Sequence, residues 1–170
     1  MYTLRSIDGY IPVHSKKFSR MATLGYVCEL ASRRHPDKSS ALRPFISCAS
    51  SAIDLSQIKV YFNGYEQCVA FVIWARISEN LEREYLGGRF RYPTLNEWNE
   101  GNRLWVIDFC AETGCIAQIL GDLRDSVFSQ IDRVRYFRVK GRLRMAKEIN
   151  STDKTTFMRS YCGSRSTASL

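Results

Sequence analysis

Histidine is scarce in this chain of 170 residues, with His14 and His35 alone, and no apolar run nears the roughly 18 residues of a membrane-spanning helix. The longest, Cys68-Val69-Ala70-Phe71-Val72-Ile73-Trp74-Ala75, has strand length, so no membrane insertion is expected. The six cysteines at 28, 48, 68, 110, 115 and 162 lack Cys-x-x-Cys spacing. That absence argues against a zinc cluster or a secreted disulfide scaffold, and most of the thiols are expected to be buried. The first ten residues lack the continuous apolar stretch of a secretory signal, which makes a cytoplasmic location the expectation. There is no internal repeat.

What is present fits one soluble domain: 45% hydrophobic, 12% aromatic and 25% charged residues. A chain of this size can bury a real core without a disulfide or metal. The 25 Lys and Arg against 17 Asp and Glu give a formal charge of +8, which favours an acidic partner. Six of the basic residues lie between Arg133 and Arg144 with no acid among them, either a solvated strand edge or a docking surface. Tyr136 and Phe137 are adjacent, so only one could point outward on a strand. That disfavours base stacking, and no nucleic acid partner is expected.

Periodicity divides the chain into an N-terminal extension over 1–20, a domain over 21–149 and a polar basic tail over 150–170. Leu24, Val27, Cys28 and Ala31 predict a helix that Thr23 begins and that stops near Ser32. Pro36 then biases His35 toward extended geometry on a turn. Leu42, Phe45, Ile46, Ala49, Ala52 and Ile53 predict a second helix. The β-branched and aromatic runs 58–62 and 68–75, joined through Asn63-Gly64, predict a hairpin. Ser78 caps a short helix that Gly87-Gly88 ends, and a loop follows to Gly101. The run 104–109 predicts a strand covered on both faces. Ile116, Ile119, Leu120, Leu123 and Val127 predict another helix, and 134–139 a final strand. The expected class is α/β (α+β): a single domain with an open, mostly antiparallel mixed sheet flanked by helices.

Asp108 stands out as a carboxylate in an apolar strand, since burial penalises its charged form unless donors or a cation compensate. Two accounts are open: a salt bridge to Arg103 or a helix-capping role, or the orientation of an imidazole. His35 is the better placed imidazole of the two. Such a pair serves proton transfer, the carboxylate fixing the tautomer and stabilising the imidazolium.

Several segments in order are similar to the toxin-activating lysine acyltransferases that accompany RTX toxins. They are Leu24-Gly25, Ser32-x-x-His35, 69–75, Ser78-Glu79-Asn80-Leu81-Glu82 with Tyr85-Leu86, Trp98-x-x-Gly101-Asn102-Arg103-Leu104-Trp105-Val106-Ile107-Asp108-Phe109, and Leu123-Arg124. The resemblance spans about 24 to 139 and implies a fold related to the GNAT acetyltransferases. It implies fatty acyl transfer from acyl carrier protein to internal lysines of a protoxin, with the acyl-carrier protein as co-substrate, no separate cofactor, and a homodimer. By it, His35 and Asp108 are the catalytic pair, and Ser32, Trp74, Arg103 and Gly114 bind substrate.

The chain departs from that pattern at Glu29 and Arg33-Arg34 before His35, at Asn102, and at Glu112-Thr113 after the strand. A degenerate copy acting as a basic binding module for an acidic protein is the alternative. A generic acetyl-CoA enzyme is disfavoured, because Glu112-Thr113-Gly114-Cys115-Ile116-Ala117 makes a poor pyrophosphate loop, with an acid where phosphate would sit.

Overall fold

The computed structural model of the chain describes residues 14–15, 17–34, 42–112, 114–140 and 143–150. Its strands follow one another across a single sheet in chain order: β1 (His14–Ser15), β2 (Ile58–Phe62), β3 (Cys68–Ile77), β4 (Arg103–Ala111), β5 (Arg133–Lys140) and β6 (Leu143–Asn150). All neighbours are antiparallel except β4 and β5, which run parallel. The mixed, mostly antiparallel sheet that the sequence predicts is therefore present.

Both faces of the sheet are covered. On one side lie α1 (Arg20–Arg34), α2 (Leu42–Asp54) and α3 (Glu79–Leu86), which bring Val27, Leu30, Phe45, Ala49, Ala52, Leu81 and Tyr85 onto Phe71, Ile73, Ala75, Trp105 and Phe137. On the other lie α4 (Ile116–Asp122) and the π turn Leu123–Val127, which bring Ile119, Leu120 and Leu123 onto Val72, Val106, Val134 and Tyr136. Full burial of one such apolar side chain stabilises by about 2 kcal/mol, so the two-sided core carries the fold. Tyr136 and Phe137 are both buried, one on each side, so neither is free to stack on a partner.

Local signals mostly act where the sequence places them. The Ser78 hydroxyl accepts from the Leu81 N–H and begins α3, and Gly87 ends it. The β2–β3 turn is held by Asn63, whose Oδ1 accepts from the N–H groups of Tyr65 and Gln67. The left-handed residue there is Glu66, at φ 62°, rather than Gly64. Ser19, not Thr23, begins α1: its hydroxyl accepts from the Ala22 N–H and its carbonyl from that of Thr23. The helix also runs on to Arg34.

Two strands lie where no strand is predicted. His14 and Ser15, in the expected extension, pair with Phe62 and Tyr61, and Phe18 packs 4.9 Å from the Phe62 ring. Residues of β6 pair along the whole of β5, from Arg133 opposite Asn150 to Lys140 opposite Leu143. The remainder of the expected tail, 151–170, lies outside the described residues. No described helix is long and apolar enough to cross a membrane.

Candidate functional site

The centre of the sheet is irregular beside Asp108. Ile73 of β3 faces Asp108 while the next residue, Trp74, faces Val106, which leaves Ile107 as an extra residue in β4. Such a bulge re-aims the side chains beyond it. The parallel register of β4 with β5 matches Trp105 to Arg135 and Val106 to Tyr136; beyond it β4 follows β3, and β5 follows β6. Asp108 lies just past this junction, half-buried.

Among its contacts, Oδ1 accepts from the Phe109 N–H at 2.9 Å and Oδ2 from the Tyr92 hydroxyl at 2.8 Å. These donors offset part of the desolvation that an apolar strand imposes. Burial, followed by the Asp108 charge and hydrogen bond, pushes the Tyr92 phenol well above its ordinary range. That direction keeps Tyr92 in the protonated form that donates to Asp108. Its ring contacts Phe45 of α2 and Phe90, at centroid separations of 6.4 and 5.4 Å, and the Arg144 guanidinium lies 4.0 Å from the Phe90 centroid. Burial and the Asp108 charge push the Cys48 thiol on α2 upward.

The expected site residues divide. His35 lies outside the described residues. Ser32 is exposed near the end of α1 and donates to the Glu29 carbonyl at 2.8 Å. Trp74 packs edge-on to Phe128 on the α4 side, whereas Asp108 faces Ile73 on the α1–α3 side, so the sheet separates them. Arg103, at the opposite end of β4, is engaged by Glu79 and Glu82, each at 3.0 Å. That engagement replaces the salt bridge to Asp108 considered from sequence. Gly114 holds φ +100° in the turn between β4 and α4, a conformation that favours glycine.

Two departures from the family pattern meet each other. Arg33 reaches Glu112 at 3.6 Å and donates to the Cys68 carbonyl at 3.2 Å, so it joins the end of α1 to the exit of β4. His35 follows Arg33 by two residues in the chain, and Glu112 follows Asp108 by four.

Sequence reasoning missed the most enclosed charged group among the described residues. Glu82 of α3 is buried and accepts from the Trp105 indole at 3.0 Å, while Arg103 and Arg135 lie 3.0 and 3.1 Å from its oxygens. The available signal was a carboxylate between Leu81 and Tyr85 on the apolar side of a short helix. A depression of about 220 Å³ opens beside it, lined by Leu86, Trp105, Arg135 and Glu148 among others. Among the described residues there is no cluster of His, Cys, Asp and Glu fit to hold a metal.

The fold is thus a single mixed sheet with helices on both faces and a hydrogen-bonded carboxylate at its central irregularity. Residues 16–152 match the sequence profile of HlyC, the RTX toxin acyltransferase family, and the chain belongs to that family. One relative is the lysine-acyltransferase RtxC of Vibrio cholerae serotype O1, 27% identical over 92 residues. That match covers 54% of this chain and 60% of the relative, less than two thirds of its length. Among solved structures, a Corynebacterium glutamicum protein described as histone acetyltransferase HPA2 and related acetyltransferase is 11% identical over 78% of each chain. Its TM-score of 0.40 makes it a loose likeness.

Proposed function

We propose that this protein is a protein-lysine acyltransferase that moves a fatty acyl chain from acyl-acyl carrier protein to internal lysines of an RTX-type protoxin. The observation that carries this is the family match across nearly the whole described sheet, from residue 16 to 152. The doubly hydrogen-bonded Asp108 supports it, because a fixed carboxylate beside an imidazole suits base catalysis. The formal charge of +8 suits an acidic carrier protein, whose encounter it would steer.

In this mechanism the substrate lysine attacks the thioester carbonyl as the neutral amine, and His35 takes up one of its two N–H protons as the C–N bond forms. The tetrahedral intermediate then collapses, the amide bond remains, and the carrier's sulfur leaves and takes up the proton. Asp108 holds the imidazole and stabilises its charged form. Ser32 and Gly114 would bind substrate at the margins of this centre, whereas Arg103, engaged by Glu79 and Glu82 at the opposite end of β4, and Trp74, packed on Phe128 across the sheet, stand apart from it. Donor thioesters on carrier protein, rather than coenzyme A, fit the acidic Glu112 in the turn before α4.

Intact-mass spectrometry tests this with an RTX acceptor fragment, a panel of acyl-acyl carrier proteins and an acetyl-CoA control. A fatty-acyl mass gain on lysine that requires the carrier protein is expected. No gain with any donor, from folded protein, rejects the enzyme and favours a binding module; a gain with acetyl-CoA alone rejects the donor.

A further inference from the structure

We propose that Tyr92 is a positioning residue for Asp108, a role that rests on the acyl transfer proposed above. Asp108 lies beside the bulge of β4, and the orientation of its carboxylate is set by its hydrogen-bond donors. The Phe109 N–H holds Oδ1 from the same strand, and Tyr92 holds Oδ2 from the loop between α3 and β4. Two fixed donors on opposite oxygens define the carboxylate plane, and only the second comes from outside β4.

The tyrosine is itself held in place. Its ring lies against Phe45 of α2 and Phe90 of its own loop, and Phe90 lies against Phe137 of β5 with a centroid separation of 5.1 Å. The ring is thereby tied to α2 and, through Phe90, to β5. Burial and the Asp108 charge push the phenol upward, which favours the protonated form that donates to Asp108. With Oδ1 and Oδ2 held by these donors, Tyr92 sets the plane in which the carboxylate would meet the imidazole of the proposed mechanism.

Tyr92→Phe keeps the ring and its contacts and removes this one hydrogen bond. In the acylation assay it is expected to lower kcat about tenfold, the scale of one hydrogen bond to a charged group, with KM for donor and acceptor unchanged. A loosened fold would move KM and the melting temperature as well, so thermal melts accompany the kinetics. The second measurement is the ring-nitrogen NMR spectrum, which is simple because the chain has two histidines, His14 and His35. The variant is expected to shift the His35 signals and leave those of His14 in place. Wild-type kcat with unmoved His35 signals overturns the role of Tyr92. If the wild-type chain acylates nothing, the proposed function fails separately, and the His35 signals alone decide: moved signals uphold the Tyr92–Asp108 coupling and unmoved ones reject it.

Discussion

Gly101 sits so close to Ile77 that a Cβ on it would lie 2.1 Å from the Ile77 carbonyl oxygen. The approach is fixed by backbone hydrogen bonds on either side: Arg76 donates to the Trp98 carbonyl at 3.0 Å, and Gly101 donates to that of Arg76 at 3.3 Å. Gly101→Ala must therefore push the loop off the end of β3, at about 3 kcal/mol. Urea unfolding measures it, and a variant as stable as the wild type contradicts the contact.

The Glu82 cluster predicts an ordering of effects. Glu82 is 9% exposed, Arg135 16% and Arg103 30%. Removing the shared acid takes its acceptor from the buried Trp105 indole N–H and one partner from each arginine, Arg135 keeping Glu148 and Arg103 keeping Glu79, so Glu82→Ala is expected to cost about 2 kcal/mol. Arg103→Ala, at the wetter edge, should cost under about 1 kcal/mol. Denaturant midpoints of the two variants test this, and the reverse order would refute it.

The loop that carries Tyr92 has an acid-sensitive tie. The Arg91 guanidinium, which lies 2.6 Å from Glu97, and donors from Thr94 hold the Glu97 carboxyl at about 2, below its ordinary 4.5. A depressed acid stabilises the fold fully above its ordinary value and loses that contribution as pH falls toward the folded value. Wild-type stability should therefore decline between pH 4.5 and about 2 more steeply than that of Glu97→Gln. Parallel melting curves across that window would dismiss the tie.

Thiol chemistry should follow burial. Cys28 is the one partly exposed thiol among the five described, while burial pushes Cys68 up to about 12 and Cys48 higher still. Since the thiolate is the nucleophile, iodoacetamide at pH 8 should label Cys28 first of these five and the others after unfolding. Peptide mass spectrometry reads the order. Early labelling of Cys48 or Cys68 in folded protein would contradict it.

The parts legible in the sequence are those whose pattern is local. Leu42 to Ile53 repeats at helical spacing, the 68–75 and 104–109 runs are apolar throughout, and Ser78 and Gly87 mark their helix at both ends. The edge strands were not legible. β6 contains Arg144, Lys147 and Glu148 with few β-branched residues, the composition of a guarded edge, and its identity comes from pairing with β5. The two residues of β1 carry no period at all. Asp108 was legible because a carboxylate in an apolar run is conspicuous. Tyr92 was not, since it lies in an aperiodic loop 16 positions earlier and reaches Asp108 through the tertiary fold.

The extra residue in β4 works as a change of parity. Before it, the even-numbered Leu104 and Val106 face α4; after it, the odd-numbered Phe109 and Ala111 do. Asp108 consequently shares a side with Ile107 and looks toward α2, where Cys48 senses its charge. Strict alternation through the same residues, without the bulge, would deliver this carboxylate to the α4 half of the molecule, whereas deletion of Ile107 would close the bulge and leave Asp108 on its present side. The pairing of β4 with β3 is thus as much a part of the site as its composition, since the bulge is what keeps Asp108 on the side of α2.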